Sequence, residues 1–302
     1  MQPKVSVVIP TYNRARTIRA AIESVLRQSY SDLELIVVDD CSKDETRKVL
    51  AAIKDPRMRA IFHDKNGGAS VARNTGARAA TGKWIAFQDS DDEWLPTKLE
   101  LQIARLESGD YVAGYCGMVI FGLLDPAPGS RPTVSYLPGA DVQHPDGDIL
   151  PKLLQDSFIS TQTLVVRHDT LFDEGFFDPS TPPLEDWDLA IRLARRGLIA
   201  FVDEPLVIQR FSPDSITRSR VDAVRSRMRI VEKNLDLLSS QPSLLAYHYH
   251  CIAGAWRGLG DFGMARRYLL KSLRLSPVAP KSLASLGFTI WLDLRRRIGK
   301  NA

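Results

Sequence analysis

Three carboxylates stand within four positions in the stretch Asp89-Ser90-Asp91-Asp92. Held that closely they repel one another, and a hard divalent cation relieves the repulsion, since Mg²⁺ and Mn²⁺ prefer oxygen ligands. Such a cation is held by one or two carboxylates plus substrate phosphates, so Asp89-x-Asp91 suits a nucleotide diphosphate. A solvated acidic turn has the same composition, but the apolar runs Trp84–Phe87 and Trp94-Leu95-Pro96 on either side weigh against it. Asp40 is a second candidate. Its carboxylate can accept a hydrogen bond from a base N–H such as N3 of uracil, and it suits a helix cap equally well, beside Ser42 and Asp44. Arg73 lies in the run Asn66-Gly-Gly-Ala-Ser-Val-Ala-Arg-Asn-Thr-Gly76, where glycines permit close backbone approach. Its guanidinium can pair bidentately with a pyrophosphate or form an ordinary salt bridge. Glu185-Asp186-Trp187-Asp188 opens a helix after Thr181-Pro-Pro183, and the helix dipole alone favours acids there. One of those acids can instead serve as a general base for an acceptor hydroxyl, a role worth roughly 10²–10⁴ in rate.

Other chemistries lack their residues. There is no Gly-x-Gly-x-x-Gly and no Gly-Lys-Ser/Thr loop, which removes support for nicotinamide-cofactor and ATPase readings. No Gly-x-Ser-x-Gly elbow supplies a hydrolase nucleophile. His63, His144, His168, His248 and His250 form no His-Glu-x-x-His set and read as structural.

The elements that must position these groups follow from periodicity. Val5–Ile9, Leu33–Val38, Arg59–Phe62 and Trp84–Phe87 read as strands. Ala15–Gln28, Thr46–Ile53, Ser70–Ala80 and Thr97–Leu106 read as the helices between them. That alternation predicts βαβ units and a mainly parallel sheet flanked by helices. The polar clusters Thr11–Arg14, Asp39-Asp40 and Asp89–Asp92 then fall at strand ends on one side of the sheet, where open α/β sheets bind ligands. Further on, Asp125–Asp148 is rich in Pro and Gly and reads as a long loop, an acceptor-side or lid segment. Thr163–Val166, Ile199–Val202 and Leu206–Ile208 read as short strands, and Leu184–Arg196 as a helix. Beyond Ser219 the pattern is helical only, with candidates at Val221–Leu238, Ser243–Gly258, Gly263–Leu275 and Ser282–Ile298. The run from Trp256 to Pro277 looks like a single tetratricopeptide hairpin, too little for a repeat array.

Composition bounds the rest. With 302 residues, 44% hydrophobic and 25% charged, the chain is an ordinary globular protein with ample core. Cys41, Cys116 and Cys251 are too scattered for a disulfide framework or a zinc site, which points to a reducing cytoplasmic setting. No apolar run approaches the roughly 20 residues of a membrane span. Charge is uneven: Pro205–Ala302 carries 17 Lys/Arg against 6 Asp/Glu, whereas the remainder carries 23 against 30. A basic tail on an acidic body suits an anionic membrane surface, and a solvated helical surface explains it as well. Trp291 followed by Arg295-Arg296-Arg297 is typical of helices at a lipid interface.

Taken in order, Val5-Ser-Val-Val-Ile-Pro-Thr-Tyr-Asn-Arg14, Val37-Val-Asp-Asp-Cys-Ser42, Gly68–Gly76, Phe87-Gln-Asp-Ser-Asp-Asp-Glu-Trp94 and Glu185-Asp186 resemble the signature of family 2 glycosyltransferases over about residues 4–210. The resemblance implies a GT-A fold and inverting transfer of one sugar from a nucleotide-diphosphate sugar, with UDP the favoured carrier. It implies a GT-A domain at 1–215, split near residue 110 into nucleotide-sugar and acceptor halves, and a helical subdomain at 216–302. Pro10, Thr11, Tyr12, Asp40, Arg73, Asp89 and Ser90 would contact the donor. Asp91, with Asp89, would hold Mn²⁺ or Mg²⁺, and Asp186 would be the general base. The acceptor would be a glycan or a lipid-linked glycan, with no nucleic acid as partner. The protein would be cytoplasmic, peripheral at the inner membrane face. The family usually has Gly where this chain has Cys41. No Gln-x-x-Arg-Trp motif of processive synthases is present, which favours single-sugar transfer. A nucleotidyltransferase and a non-catalytic scaffold keeping the same fold are the competing readings.

Overall fold

The structure, a computed structural model, describes residues 3–122, 133–139, 146–210 and 219–298. The chain divides into two compact units, one of Met1–Pro179 with Glu185–Ser215 and one of Ser180–Leu184 with Ile216–Ala302.

In the first unit the elements run β1 (Val5–Thr11), α1 (Ile18–Leu26), β2 (Leu33–Asp39), α2 (Thr46–Ala52), β3 (Met58–Phe62), α3 (Ala69–Ala79), β4 (Trp84–Phe87), β5 (Glu93–Trp94), α4 (Lys98–Glu107), β6 (Tyr111–Gly122), β7 (Thr133–Leu137), α5 (Leu150–Leu153), β8 (Val165–Arg167), α6 (His168–Asp173), α7 (Glu185–Ala194) and β9 (Leu198–Arg210). They build one sheet in the order β3-β2-β1-β4-β8-β6-β9-β5, with β7 added on β6. β3, β2, β1 and β4 are parallel, and β6 and β9 are parallel, while β8 enters antiparallel between β4 and β6.

β1 is buried along its whole length, as an inner parallel strand covered on both faces must be. Val5, Val7 and Ile9 join Ile18, Ile22 and Val25 of α1 and Leu99, Ile103 and Leu106 of α4 in one core. Each such side chain contributes about 1.5–3 kcal/mol by leaving water. Val8 points to the other face, against α3. A Cβ at Gly76 would lie 2.4 Å from its Cγ1, so only glycine lets α3 seat this deeply. On the β4 side of β1 pairing stops at Val8–Phe87. The strand therefore opens at Pro10, where a residue without an N–H is tolerated. That opening puts Thr11, Asp39 and the Asp89–Asp92 turn at the same sheet edge.

The chain from Tyr111 forms a twelve-residue strand, β6, flanked by β8 and β9 and capped by β7. Two sequence expectations change. The expected loop at 125–148 contains β7, which pairs antiparallel with Met118–Gly122; residues 125–132 and 140–145 lie outside the described residues. The two short strands near residue 200 are one strand, β9, whose polar interruption at Asp203–Pro205 is absorbed as a register shift opposite Gly117.

The second unit is helical: α8 (Arg220–Lys233), α9 (Leu235–Leu238), α10 (Pro242–Gly258), α11 (Phe262–Leu275) and α12 (Pro280–Ile298). The single helix expected at Val221–Leu238 breaks at Asn234, whose side-chain amide donates to the Ile230 carbonyl at 2.7 Å and competes with the backbone ladder. α10 and α11 form the hairpin suggested by the sequence. Gly260 turns the chain with φ +77°, and Asp261 caps α11 by accepting from Met264 N at 2.9 Å.

Cys41 has φ +66°, a left-handed conformation that glycine adopts without strain, which accounts for the family's usual residue there. Its thiol donates to the Asp64 carbonyl. Cys41→Gly and Cys41→Ala both remove the thiol, so their difference isolates the backbone. The glycine variant is expected to be more stable by about 1 kcal/mol in urea unfolding. Equal stabilities would show that the left-handed geometry is not held in solution.

Candidate active site

The loop after β1 is stitched to the loop after β2. Asn13 N donates to Ser42 Oγ, Lys43 N to Asn13 Oδ1, Arg14 N to Thr46 Oγ1 and Ala15 N to Asp44 Oδ2, all within 3.1 Å. Asn13 is itself left-handed, a geometry its short polar side chain tolerates. Two strand-end loops thereby become one rigid rim. Thr11 Oγ1 is buried there with no hydrogen-bond partner among the described residues, while the neighbouring Tyr12 is exposed.

Asp40 is buried and already engaged. Its carboxylate accepts from Gly67 N at 2.9 Å, from Gly68 N at 2.7 Å and pairs with His63 Nδ1 at 2.7 Å. His63 Nε2 in turn meets Thr75 Oγ1 at 3.0 Å. Asp40 therefore anchors the Asn66–Gly68 turn that launches α3, rather than capping α2. Its neighbour Asp39 is paired with Arg47 at 2.7 Å.

From α3, Arg73 reaches the centre of the site. Its Nη2 donates to Asp89 Oδ1 at 2.7 Å and its Nη1 to Glu185 Oε1 at 2.9 Å, while the guanidinium lies over the Phe177 ring. Burial works to lower the arginine's pKa, but the two carboxylates outweigh it and the net shift is upward. The expected alternatives for Arg73 were a surface salt bridge or a phosphate contact. The structure shows a buried bridge joining residues 73, 89 and 185. Asn74, the next residue, clamps Phe177 beneath Arg73 through both backbone groups, N at 3.0 Å and O at 2.8 Å.

Asp186 follows Glu185 at the start of α7 and is half-buried. Burial, reinforced by the Glu185 charge and opposed by the Trp187 N–H and by Arg73, pushes its carboxyl up to about 7. It is poised to exchange a proton near neutrality.

The acidic turn divides. Asp92 is buried and structural, accepting from Gln162 Nε2 at 2.9 Å and from Arg210 N at 3.2 Å. Ser90 is buried beside it. Asp91 is only partly buried and faces Arg14 Nε at 3.4 Å. Burial and the neighbouring Asp89 hold its carboxyl above the ordinary range, and burial followed by Asp89 and Asp91 does the same to Asp92. Among the described residues no three His, Cys, Asp or Glu converge as a metal cage. The acids instead remain electrostatically frustrated, which suits one or two carboxylates sharing a cation with phosphates. Arg14, Glu185 and Gln162 were not singled out for these roles. Each is one polar residue in a common sequence context, and only the folded chain brings it to the acids.

Behind the turn, Lys98 is fully buried with Nζ 3.7 Å from the Trp94 ring centroid and no hydrogen-bond partner among the described residues. Trp94 Nε1 donates to the Gln162 carbonyl at 3.1 Å, which links this lysine to the support of Asp92. Burial depresses the Lys98 ammonium to about 8. Below that pH both folded and unfolded chains carry the proton and the full cost is present. Between about 8 and 10.5 the folded state has lost the proton and the unfolded state has not, so wild-type stability rises with pH. Lys98→Met should therefore be more stable than wild type by about 1–3 kcal/mol at pH 7. That margin should shrink towards pH 10, as followed by denaturant melts, and a pH-independent difference would refute the depressed lysine.

Residues 6–155 match the family described as Glycosyl transferase family 2. An uncharacterized glycosyltransferase, RP339 of Rickettsia prowazekii, is 32% identical over 223 residues, which is 73% of this chain and 68% of that protein. The UDP-Glc:alpha-D-GlcNAc-diphosphoundecaprenol beta-1,3-glucosyltransferase WfgD of Escherichia coli is 45% identical over 102 residues, 34% of this chain and 40% of WfgD. Against several other curated relatives the chain spans only about a third of their length. The fold is shared with residues 1–349 of TarS from S. aureus, solved in complex with UDP-GlcNAc, at TM-score 0.70 and 17% identity, covering 96% of this chain and 90% of that one. The strand-end acids and the raised carboxyl on α7 thus sit on a GT-A fold in a chain whose own residues align with sugar-transferring enzymes, and the protein belongs to glycosyltransferase family 2.

Proposed function

We propose that the protein moves a single sugar, with inversion, from a UDP-sugar to a hydroxyl of a glycan or lipid-linked glycan at the inner face of a membrane. The observation that carries the reading is Asp186: a half-buried carboxyl raised to about 7, tied through Glu185 and Arg73 to the acidic strand end at Asp89. UDP and undecaprenol-linked chemistry enter from what WfgD and TarS are described as using or binding.

In this reading the base is bordered by Pro10, Thr11 and Tyr12, with Asp40 setting the turn against which it rests. The Thr11 hydroxyl, without a partner among the described residues, is available to the nucleotide. Asp91, with Asp89, would hold Mn²⁺ or Mg²⁺, which supplies neutralisation of the leaving diphosphate. Arg73 fixes Asp89 and Glu185 as a preorganised charged floor, and Ser90 of the same turn contacts the donor in this reading. Asp186 accepts the acceptor proton as the hydroxyl oxygen bonds to the anomeric carbon. The bond from that carbon to the diphosphate breaks on the opposite face, so an α-linked donor gives a β-linked product.

A base must be deprotonated to act. With Asp186 near 7, kcat/KM should climb with pH up to about 7 and level off above about 8. Asp186→Asn should abolish transfer while leaving UDP binding intact. Because a raised carboxyl costs stability above its unfolded pKa, the variant should melt no earlier than wild type at pH 8. A wild-type profile flat from pH 5 to 8, each limit being about a unit or more from the expected bend, would remove Asp186 as base.

The donor side has its own test. UDP with Mn²⁺ at about 100 times its Kd should stabilise the protein by about 2.7 kcal/mol in thermal unfolding. EDTA or Asp91→Ala should remove most of that gain. An unchanged Mn²⁺ response in Asp91→Ala would take Asp91 out of the metal site.

A further inference from the structure

We propose that α12 docks on an anionic bilayer surface through its outward face. Amphipathic helices of globular proteins turn apolar residues to the core and polar residues to water. α12 is arranged the other way round. Its buried positions are polar: Ser282 Oγ meets His250 Nδ1 at 3.0 Å and Ser272 Oγ at 3.1 Å, and Thr289 is fully buried, while Asp293 beside the half-buried Leu286 and Leu292 pairs with Arg266 at 2.7 Å. Arg296 donates to the Gly260 carbonyl at 2.8 Å, fastening the last turns to the α10–α11 hairpin. Its outer face carries Leu283, Phe288, Ile290, Trp291, Leu294 and Ile298, each 40–70% exposed. Leu283, Phe288, Trp291, Leu294 and Ile298 follow one another at spacings of five, three, three and four residues along one side of the helix, and Ile290 flanks that stripe.

The chemistry of that face selects its occupant. Phe288 and Trp291 stack at 5.7 Å, and Arg295 lies over the Trp291 ring. An aromatic body with a guanidinium at its rim suits the boundary between acyl chains and headgroups. No described helix is long and apolar enough to cross a membrane, so α12 would lie in the interface plane. The surplus of Lys and Arg from Pro205 onward repels a second copy and attracts anionic headgroups. Such docking would hold the protein beside a lipid-linked acceptor. The substrate reading stands apart from it, because vesicle binding needs no transfer.

The test is co-sedimentation of the full chain with phosphatidylcholine vesicles containing about a third phosphatidylglycerol, and with phosphatidylcholine alone. Pelleting is expected with the anionic vesicles and little with the neutral ones. Phe288→Ser with Trp291→Ser should lower partitioning about tenfold or more while the melting temperature holds. Arg295→Glu should weaken binding at low salt most. Absence of pelleting at low salt would overturn the proposal, as would a double variant that pellets like wild type. A wild-type dimer in analytical ultracentrifugation that the double variant dissociates, with vesicle binding unaffected, would assign the face to a second copy instead.

Discussion

The buried bridge from Arg73 to Asp89 and Glu185 is the interaction on which the rest of the site depends. Taking three charges from water costs several kcal/mol each, and their mutual attraction offsets this only in good geometry. Here the geometry is supplied from outside the trio. Gly76 seats α3 against β1, Asn74 pins Phe177 under the guanidinium, and the opening at Pro10 leaves the Asp89 turn beside α3. The satisfaction is incomplete: Arg73 Nε and Glu185 Oε2 have no hydrogen-bond partner among the described residues. A fully closed network would be rigid and chemically idle. One with an open donor and an open acceptor remains able to answer charge brought by a ligand.

Much of the architecture was legible because its signals are local. The buried strand Val5–Ile9, the amphipathic helices around it and the strand-end positions of Asp40 and Asp89 follow from periodicities that tertiary context reinforces. The failures share a different cause. β7 lies in a Pro- and Gly-rich stretch, and a partner strand rather than local preference makes it extended. β9 continues through Asp203–Pro205 because β6 absorbs the offset at Gly117. Asn234 ends α8 by a side-chain bond that ordinary helix propensity does not register.

Within the site the same division holds. Residue types and order were enough to nominate Asp40, Arg73, Asp89, Asp91 and Asp186, and the resemblance to family 2 glycosyltransferases was enough to rank them. What each touches was not legible. Arg73 and Glu185 are 112 positions apart, and no spacing rule says that their side chains meet. Asp40 illustrates the converse. The sequence offered it a nucleobase N–H or a helix cap as partner, whereas in the fold its carboxylate is engaged by Gly67, Gly68 and His63.

The carboxyls that stay in tension locate where free energy is held for use. Asp91 and Asp92 lie above the ordinary carboxylate range through burial and mutual repulsion, and Asp186 is raised by burial and by Glu185. Folding could have relieved each with a nearby lysine or arginine, and the first unit contains many. Instead several of its cations are committed elsewhere: Arg73 to Asp89 and Glu185, Arg47 to Asp39, and Lys98 buried over Trp94. Among the described residues Arg14, at 3.4 Å and partly exposed, is the cation that pairs with Asp91. In the proposed reading two unlike demands are met by this withholding: the partly exposed acids at the strand end would favour a cation with its bound phosphates, and the carboxyl on α7 would keep a proton affinity close to neutrality. Perturbed pairs of this kind concentrate at active sites because catalysis needs groups whose ionisation is unsettled in the free enzyme.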